Sequence, residues 1–293
     1  MADRRVEVLP GGRAVLVENG PLRLVIQAFS GAIIETELVK EAAEYAFVCL
    51  DRVAQSLPLL RQRHGLITSS PQEEIAGVML ESVRLVGDED LTPMAAVAGT
   101  IADFVADWIF SRGASRVLVD NGGDIAVRLK AGEVTNVGFR PSVDSPEITH
   151  VVQLHAEFSS WGVNTSGMGG RSLTRGIASA VTVFAQNSSV ADAAATAVAN
   201  ECYAEDRNIH QLPAVTVDPH TDLGNMPVTV SAAGISEETA ERALENGLQK
   251  AEQLIDRDII RGAVIVVADK VLLTTGFKEL VGDIRPYRQA LSS

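Results

Sequence analysis

An alanine-rich segment, Ala191–Thr196, sets the strongest constraint on what this chain can fold into. Alanine has the highest helix propensity, so the run predicts a helix, here over residues 189–203. Asp192 and Thr196 are four residues apart and therefore share one face of that helix. A carboxylate and a hydroxyl on one face suit a hard cation, with room left for water and a phosphate. Taken alone, Asp192 is better explained as a solvated helix carboxylate than as a metal ligand.

Composition narrows the class of protein. The chain has 293 residues, 46% of them hydrophobic, which suffices for one large domain or two closely packed lobes. The net charge of −13 argues against nucleic-acid binding, which needs Lys and Arg to neutralise phosphates. Cys49 and Cys202 are too few for a disulfide framework, and we find neither a signal segment nor an apolar run of membrane-spanning length. These features predict a soluble, cytoplasmic protein without a membrane partner.

Hydrophobic periodicity and turn signals predict an α+β fold, because strands and helices do not alternate as they do in a parallel sheet. Pro58 is expected to end the first helix, and residues 162–176 look too rich in glycine for regular structure. The predicted helices cover 36–57, 71–86, 92–110, 189–203 and 236–254. The predicted strands cover 6–8, 13–18, 22–28, 116–120, 125–130, 134–139, 148–157, 178–185, 260–268 and 270–277.

Two glycine-rich segments could bring backbone close to a ligand. Asn121–Asp124 is either a tight hairpin turn, since Asn-Gly supplies positive φ, or a place where backbone N–H groups and Asp124 meet a ligand. The 162–176 segment allows the same two interpretations. Its Arg171 and Arg175 favour a phosphate-binding role, because guanidinium groups match phosphate geometry. The sequence contains no Gly-x-x-x-x-Gly-Lys-Ser/Thr phosphate loop.

Other polar groups carry weaker signals. Asp103 and Asp107 lie four apart on a predicted helix and are expected to pair with Arg112 or to be exposed. The five histidines show no zinc-ligand spacing, and His150 and His155 are predicted to be structural residues of a strand. No serine lies in the strand–turn–helix context of a hydrolase nucleophile. No residue is therefore assigned a catalytic role.

Segments in the same order resemble the ApbE superfamily of flavin transferases. Ala98–Asp103 resembles its Lys-Gly-x-x-x-Asp helix start, and Val119–Ile125 resembles its Gly-Gly-Asp segment. Thr165–Gly167, Ser179–Val183 and Ala191–Thr196 resemble its Thr-Ser-Gly, its following strand and its Ala-Asp-x-x-x-Thr ending.

The resemblance is closer still to the UPF0280 branch of that superfamily and covers nearly the whole chain. It rests on Asn19–Pro21, Leu59–Arg61, Thr92–Gly99, Asn121–Ile125, Gly169–Ser172 and Asp222–Gly224.

The resemblance implies an ApbE-like α+β fold, with mixed or antiparallel sheets flanked by helices in a single domain over residues 1–293. It implies that a flavin nucleotide, FAD or FMN, binds with Mg²⁺ and that FMN is transferred to a Ser or Thr hydroxyl of an acceptor protein. Asp192 and Thr196 would then hold the metal, with a backbone carbonyl near Val97–Ala98. The implied nucleotide-binding residues are Gly99, Asn121, Gly122, Gly123, Asp124, Thr165, Ser166, Gly167, Arg171 and Arg175.

Two departures from the family pattern leave two hypotheses open. Ala98 stands where the family has Lys, and Gly170–Gly176 stands where transferases carry a His-x-x-Asp-Pro-x-Thr-Gly segment. The base that activates an acceptor hydroxyl is therefore missing or supplied differently. The first hypothesis is a Mg²⁺-dependent enzyme, a flavin transferase or FAD pyrophosphatase. The second is a non-catalytic flavin-binding or protein-interaction scaffold. Either is compatible with an oligomer.

Overall fold

A ten-stranded antiparallel sheet forms the centre of the computed structural model, which describes residues 4–140, 150–170, 172–282 and 284–286. The strands are β1 (Arg5–Val8), β2 (Val15–Asn19), β3 (Leu22–Ser30), β4 (Ile33–Ile34), β5 (Arg116–Asn121), β6 (Ile125–Leu129), β7 (Val134–Phe139), β8 (His150–His155), β9 (Ser160–Ser166), β10 (Ala180–Ala185), β11 (His210–Pro213), β12 (Pro227–Ser231), β13 (Gly262–Val267), β14 (Lys270–Leu273) and β15 (Arg285–Pro286). The large sheet runs β1-β2-β3-β5-β6-β9-β10-β13-β14, with β4 paired to β3.

The long helices cover one face of this sheet, and a small sheet and the short helix over Phe277–Val281 cover part of the other. The helices are α1 (Thr36–Leu60), α2 (Glu74–Val86), α3 (Val97–Phe110), α4 (Ser188–Glu201), α5 (Ala214–Val217), α6 (Glu237–Asp256) and α7 (Phe277–Val281). The small sheet has the order β15-β8-β7, and β11 and β12 form a separate hairpin.

Alternation along the central strands builds the two cores. In β10, Val181 and Val183 pack with the helices, whereas Ala180 and Phe184 pack with β7, β8 and α7. Successive side chains of a strand point to opposite faces, so this continuously buried strand supplies both cores at once. The predicted α+β class is confirmed.

The structure corrects two predicted helix boundaries. Pro58 lies inside the last turn of α1, which continues to the fully buried Leu60; burial of that side chain outweighs the hydrogen bond that proline cannot donate. The predicted 92–110 helix is split into a 3₁₀ turn, Pro93–Ala96, and α3. Thr92 does act as an N-cap, but of the 3₁₀ turn, through its side-chain bond to the Met94 N–H.

The expectation of irregular structure over 162–176 was wrong for its first third, because β9 runs through Ser166. Gly162 explains how a glycine belongs in this central strand. A Cβ at that position would lie 2.1 Å from the Asn187 carbonyl oxygen, so only glycine lets the strand pass so close to the start of α4. Glycine here serves packing, not flexibility.

One segment passes a simple test for a membrane span. By length and composition alone Pro93–Phe110 could cross a bilayer, but 56% of it is buried inside the fold, as in a core helix. Elsewhere in the described part of the chain, sequence patterns missed the β11–β12 hairpin and α7.

Candidate functional site

Helices α3 and α4 cross closely, and each caps the N-terminus of the other with an aspartate. Asp103 of α3 accepts hydrogen bonds from the Ser188 and Ser189 N–H groups at the start of α4, at 3.0 and 2.7 Å. Asp192 of α4 accepts hydrogen bonds from the Gly99 N–H, at 2.9 Å, and the Ala98 N–H in the first turn of α3. The two carboxylates thus satisfy backbone donors that a helix start leaves without intrahelical partners.

Gly99 makes this crossing possible. A Cβ there would stand 2.2 Å from the Ser188 carbonyl oxygen and 2.9 Å from the Asp192 Cβ. Any side chain would therefore push the helices apart and break the bond between Gly99 and Asp192. Gly99 is not among the residues that line the cleft. Its role is to allow the close helix crossing that positions Asp192.

Asp103 is buried and pairs with Arg128, so both predicted alternatives, pairing with Arg112 and exposure, are wrong for it. Asp107 is exposed, as the second alternative predicted. Arg128 of β6 donates to Asp103 at 3.0 Å and to Asp107 at 2.6 Å. Arg112 instead stacks on the Trp108 ring, with 3.5 Å between its guanidinium carbon and the ring centroid. Burial raises the pKa of Asp103, and the Arg128 charge and the two N–H bonds oppose that rise.

Asp192 is just as buried but has no cationic side chain among the groups that set its pKa. Burial is the largest cause of a pKa well above the ordinary range, and the nearby Asp124 charge raises it further. The Gly99 and Ala98 N–H groups pull in the opposite direction. A buried carboxylate that lacks a counter-ion is typical of a ligand or metal site.

Three buried side-chain oxygens close to this aspartate accept or donate no hydrogen bond within the described residues. They are Thr196 Oγ1, Ser166 Oγ and Asn121 Oδ1. Thr196 is one helical turn beyond Asp192 on α4. A protein seldom buries unpaired polar atoms, so these oxygens indicate a group that is bound from outside the chain.

The β5–β6 turn, residues 121–124, is a tight hairpin. Gly122 and Gly123 both have positive φ, at 72° and 109°, which explains the two glycines. Asp120 Oδ1 accepts the Gly123 N–H at 2.7 Å, and the Asn121 amide donates to the Ala98 carbonyl oxygen at 3.1 Å. The turn is thereby held against the start of α3.

A hydrogen-bond chain fixes Asp124 relative to α4. Asn164 of β9 donates from Nδ2 to Asp124 Oδ1 at 3.1 Å and accepts from the Ser188 hydroxyl at 2.9 Å. Because Asn164 is buried between them, the carboxylate of the turn and the first residue of the helix are linked through one side chain.

These elements surround one cleft of about 270 Å³. The predicted site residues that line it are Gly122, Gly123, Asp124, Thr165, Ser166, Gly167 and Asp192. Asn121 and Thr196 are buried and, like Gly99, do not belong to its lining. The segments 121–124 and 165–170, together with Ser172 and Asp192, are far apart in sequence but meet here.

The structure describes one of the two arginines predicted to bind phosphate, Arg175. Arg175 does not line the cleft; it forms ion pairs with Asp90, with Asp88 at 3.7 Å and with Glu201 at 3.6 Å. Its charge is thus shared among three carboxylates. Arg171 lies outside the described residues.

Sequence reasoning missed several residues of the cleft. Asp120 could have been found, since it directly precedes the singled-out Asn121–Asp124 turn. Burial raises the pKa of Asp120, against the Gly123 N–H and the charges of Arg140 and Arg23. Phe139 and Arg140 carried no signal, because the small sheet brings the end of β7 to the cleft. These two residues also line a larger, mostly apolar pocket of about 600 Å³ beside it.

The donor set fits Mg²⁺ better than a transition metal. No group of three or more His, Cys, Asp or Glu suited to a metal occurs in the described part of the chain. Asp192 and the unpartnered hydroxyls of Thr196 and Ser166 offer only oxygen. Mg²⁺ commonly binds through one or two carboxylates and completes its shell with water and substrate phosphate.

Comparison with solved structures identifies the fold. The apo flavinyl transferase ApbE of Pseudomonas stutzeri is similar over 96% of this chain and 98% of its own, with a TM-score of 0.54 and 15% identity. A variant of the flavin transferase ApbE from Vibrio cholerae is similar over 96% of this chain and 100% of its own, with a TM-score of 0.51 and 16% identity. The chain therefore has the fold of the ApbE flavin transferases.

Sequence comparison then gives the family. A family model described as AbpE bacteria matches residues 6–276, and the chain belongs to that family. The UPF0280 protein of Methanocaldococcus jannaschii is 29% identical over 211 residues, which are 71% of this chain and 70% of the relative. The UPF0280 protein of Methanopyrus kandleri is 37% identical over 158 residues, 54% of this chain and 61% of the relative. The match thus spans less than two thirds of the latter protein. The predicted UPF0280 and ApbE-like resemblance is confirmed.

Proposed function

We propose that this protein binds FAD, with Mg²⁺, in the cleft between the β5–β6 turn, the end of β9 and α4. The observation that carries the proposal is the group of unsatisfied oxygens beside Asp192. A buried carboxylate without a cationic side chain and the unpartnered hydroxyls of Ser166 and Thr196 call for a cation. The glycines of the adjoining segments leave backbone open to a phosphate.

The charge of the cleft explains why the nucleotide would need the ion. Asp120, Asp124 and Asp192 line it, and among its described residues Arg140 is the cation. A pyrophosphate alone would meet three carboxylates across a short distance and be repelled. A divalent ion between the carboxylate and the phosphates removes that repulsion.

In this proposal Asp192 and Thr196 hold Mg²⁺, and Ser166 donates its hydroxyl proton to a phosphate oxygen. When bound, Mg²⁺ neutralises the charge that develops on a leaving phosphate. The backbone of Gly122, Gly123 and Gly167 would contact the pyrophosphate. The reaction is cleavage at the phosphoanhydride bond of FAD, which separates FMN from AMP.

Transfer of FMN to a protein is the weaker outcome. No histidine is among the described residues of the cleft, so a Ser or Thr hydroxyl of an acceptor finds no imidazole to take its proton. We expect little covalent flavin on an acceptor protein co-expressed with this one, as judged by acid-stable fluorescence on a denaturing gel. Strong labelling that disappears in Asp192→Ala would favour transferase activity. The protein belongs in the cytoplasm on this proposal, since Cys49 and Cys202 are both free thiols.

The test is to titrate the protein with FAD, following quenching of flavin fluorescence, with and without Mg²⁺. We expect Mg²⁺ to tighten binding at least about tenfold in the wild type and to have no effect in Asp192→Asn. Asp269→Asn, in the exposed β13–β14 turn, is the matched control and should behave like the wild type. Chromatography of the same mixtures reports AMP and FMN. Binding that ignores Mg²⁺, or an Asp192→Asn variant that still responds to it, would refute the proposed metal site. Tight binding of FAD without release of AMP or FMN would support the second hypothesis, a non-catalytic flavin-binding scaffold.

A further inference from the structure

The carboxylates of the cleft differ in how firmly the protein holds them. Asp192 accepts N–H groups from the first turn of α3, and Asp124 is held by the Asn164 amide. Asp120 receives one hydrogen bond, from the Gly123 N–H to Oδ1. Its second oxygen, Oδ2, accepts no hydrogen bond from any described residue. Oδ2 is also absent from the buried oxygens without a partner, so this oxygen itself remains accessible.

The other side chains of the cleft cannot accept a proton at neutral pH. The lining contains Thr165, Ser166 and Ser172 hydroxyls, and an arginine, Arg140. Hydroxyl groups and guanidinium are far too weak as bases, and the described lining holds no His, Cys or Lys. The choice of base is thus confined to three carboxylates. Of these, Asp120 combines an oxygen open to the cleft with a fixed orientation.

We propose that Asp120 is the general base of this site and activates a water molecule for attack on the pyrophosphate; this rests on the proposed FAD-cleaving function. The water oxygen forms a bond to one phosphorus while its proton passes to Asp120 Oδ2. The bond from that phosphorus to the bridging oxygen breaks, and the bridging oxygen leaves on the other phosphate with its electron pair. The products are FMN and AMP, and Asp120 then releases its proton to solvent.

The surroundings of Asp120 suit this role. Arg140, at the end of β7, and Arg23, on β3, face its carboxylate with positive charge, whereas Asp124 and Asp192 share its cleft. Burial raises the pKa of Asp120 towards the range in which a carboxylate is an effective base near neutral pH. The Gly123 N–H holds Oδ1, so the free oxygen keeps one direction.

The experiment compares Asp120→Asn, Asp120→Ala and the control Asp269→Asn with the wild type. Asp120→Asn should bind FAD in the presence of Mg²⁺ within about threefold of the wild-type affinity, since the amide keeps the bond to Gly123. Its rate of AMP release should fall about 10²–10⁴-fold. Added formate should restore part of the rate in Asp120→Ala, which has room for it, and none in Asp120→Asn. The thermal midpoints of all variants establish that they fold.

Each other result is decisive. If the wild type fails to bind FAD, the proposed function and this role both fall. If the wild type binds but releases no AMP, the binding site stands and the base is refuted. If Asp120→Asn releases AMP at the wild-type rate, the base is refuted again. If Asp120→Asn loses binding as well as turnover, Asp120 is a ligand-binding residue instead.

Discussion

Asp103 and Asp192 occupy matching positions on either side of one helix crossing, yet their side chains have different surroundings. Each is buried, each has a raised pKa, and each caps the partner helix. Asp103 meets Arg128 on the core side, whereas Asp192 meets the cleft, and no cationic side chain is among the described groups that set its pKa. The comparison teaches that burial of a charge does not by itself identify a functional residue. The missing counter-ion does.

The comparison predicts the largest loss of stability for Asp103→Ala. That change leaves Arg128 buried with only the exposed Asp107, and removes both acceptors at the start of α4. We expect the free energy of unfolding to drop by about 3–5 kcal/mol, the usual cost of breaking a buried ion pair. Urea unfolding measures it. Asp107→Asn is the control on the same arginine and should cost under about 1 kcal/mol. Equal losses in the two variants would contradict the assignment.

Gly99→Ala should have the next largest effect, because it separates the two helices that carry both aspartates. The added methyl group would stand 2.2 Å from the Ser188 carbonyl oxygen, and we expect a loss of about 1–3 kcal/mol. Gly77→Ala in α2 is the matched control. A Cβ there meets no atom within 4 Å, so alanine should stabilise the helix by about 0.5–1 kcal/mol. Thermal unfolding of both variants distinguishes packing from helix propensity, and a stabilised Gly99→Ala would refute the close crossing.

Asp192→Asn should destabilise the ligand-free protein by no more than about 1 kcal/mol, since the amide oxygen still accepts an N–H from α3. Its effect should appear when ligand is added. Saturating FAD and Mg²⁺, at about 100 times the dissociation constant, stabilises a binding protein by about 2.7 kcal/mol. We expect this gain in the wild type and its loss in Asp192→Asn, measured by thermal midpoints. An Asp192→Asn variant as destabilised as Asp103→Ala would erase the contrast between the two positions.

The last expected effect is a pH dependence of the free energy of unfolding. The pKa of Asp192 is raised by folding, so the stability from its protonation is complete below the pKa of the unfolded chain, about 3.9. That stability is lost as pH rises through the folded pKa. Above about pH 4 the ligand-free wild type should therefore lose stability relative to Asp192→Asn. Urea unfolding of both proteins across pH measures the difference, and two parallel curves would disprove the raised pKa.

Whether a feature of the fold or of the site could be predicted depends on how far apart in sequence its residues lie. The pairing of Asp192 with Thr196 on one helix, the Asn121–Asp124 hairpin and the family follow from short motifs, which encode local geometry. The Asp103–Arg128 pair could not be predicted, because it joins a helix to a strand that only the fold brings together. The same limit applies to Arg175, whose acidic partners Asp88 and Asp90 lie in a distant loop.

Glycine and proline misled the prediction for a related reason. Gly162 marked a loop in the sequence, but in the structure it lets β9 touch the Asn187 carbonyl. Pro58 marked a helix end, but burial of Leu60 carries α1 past it. Both residues have a local preference and a packing role, and the second becomes visible only with the tertiary structure.

Thirteen of the fourteen residues of α4 are buried, and this has a consequence for motion. A helix enclosed on every side has no free face along which to slide, so its amides should exchange with deuterium only when the whole core opens. Any adjustment that admits a ligand must then come from the opposite wall, at Gly167, Gly169 and Gly170 and at the end of β7. The α4 side of the site is therefore expected to stay rigid. The rates of ligand entry and release should then depend on the motion of the other side.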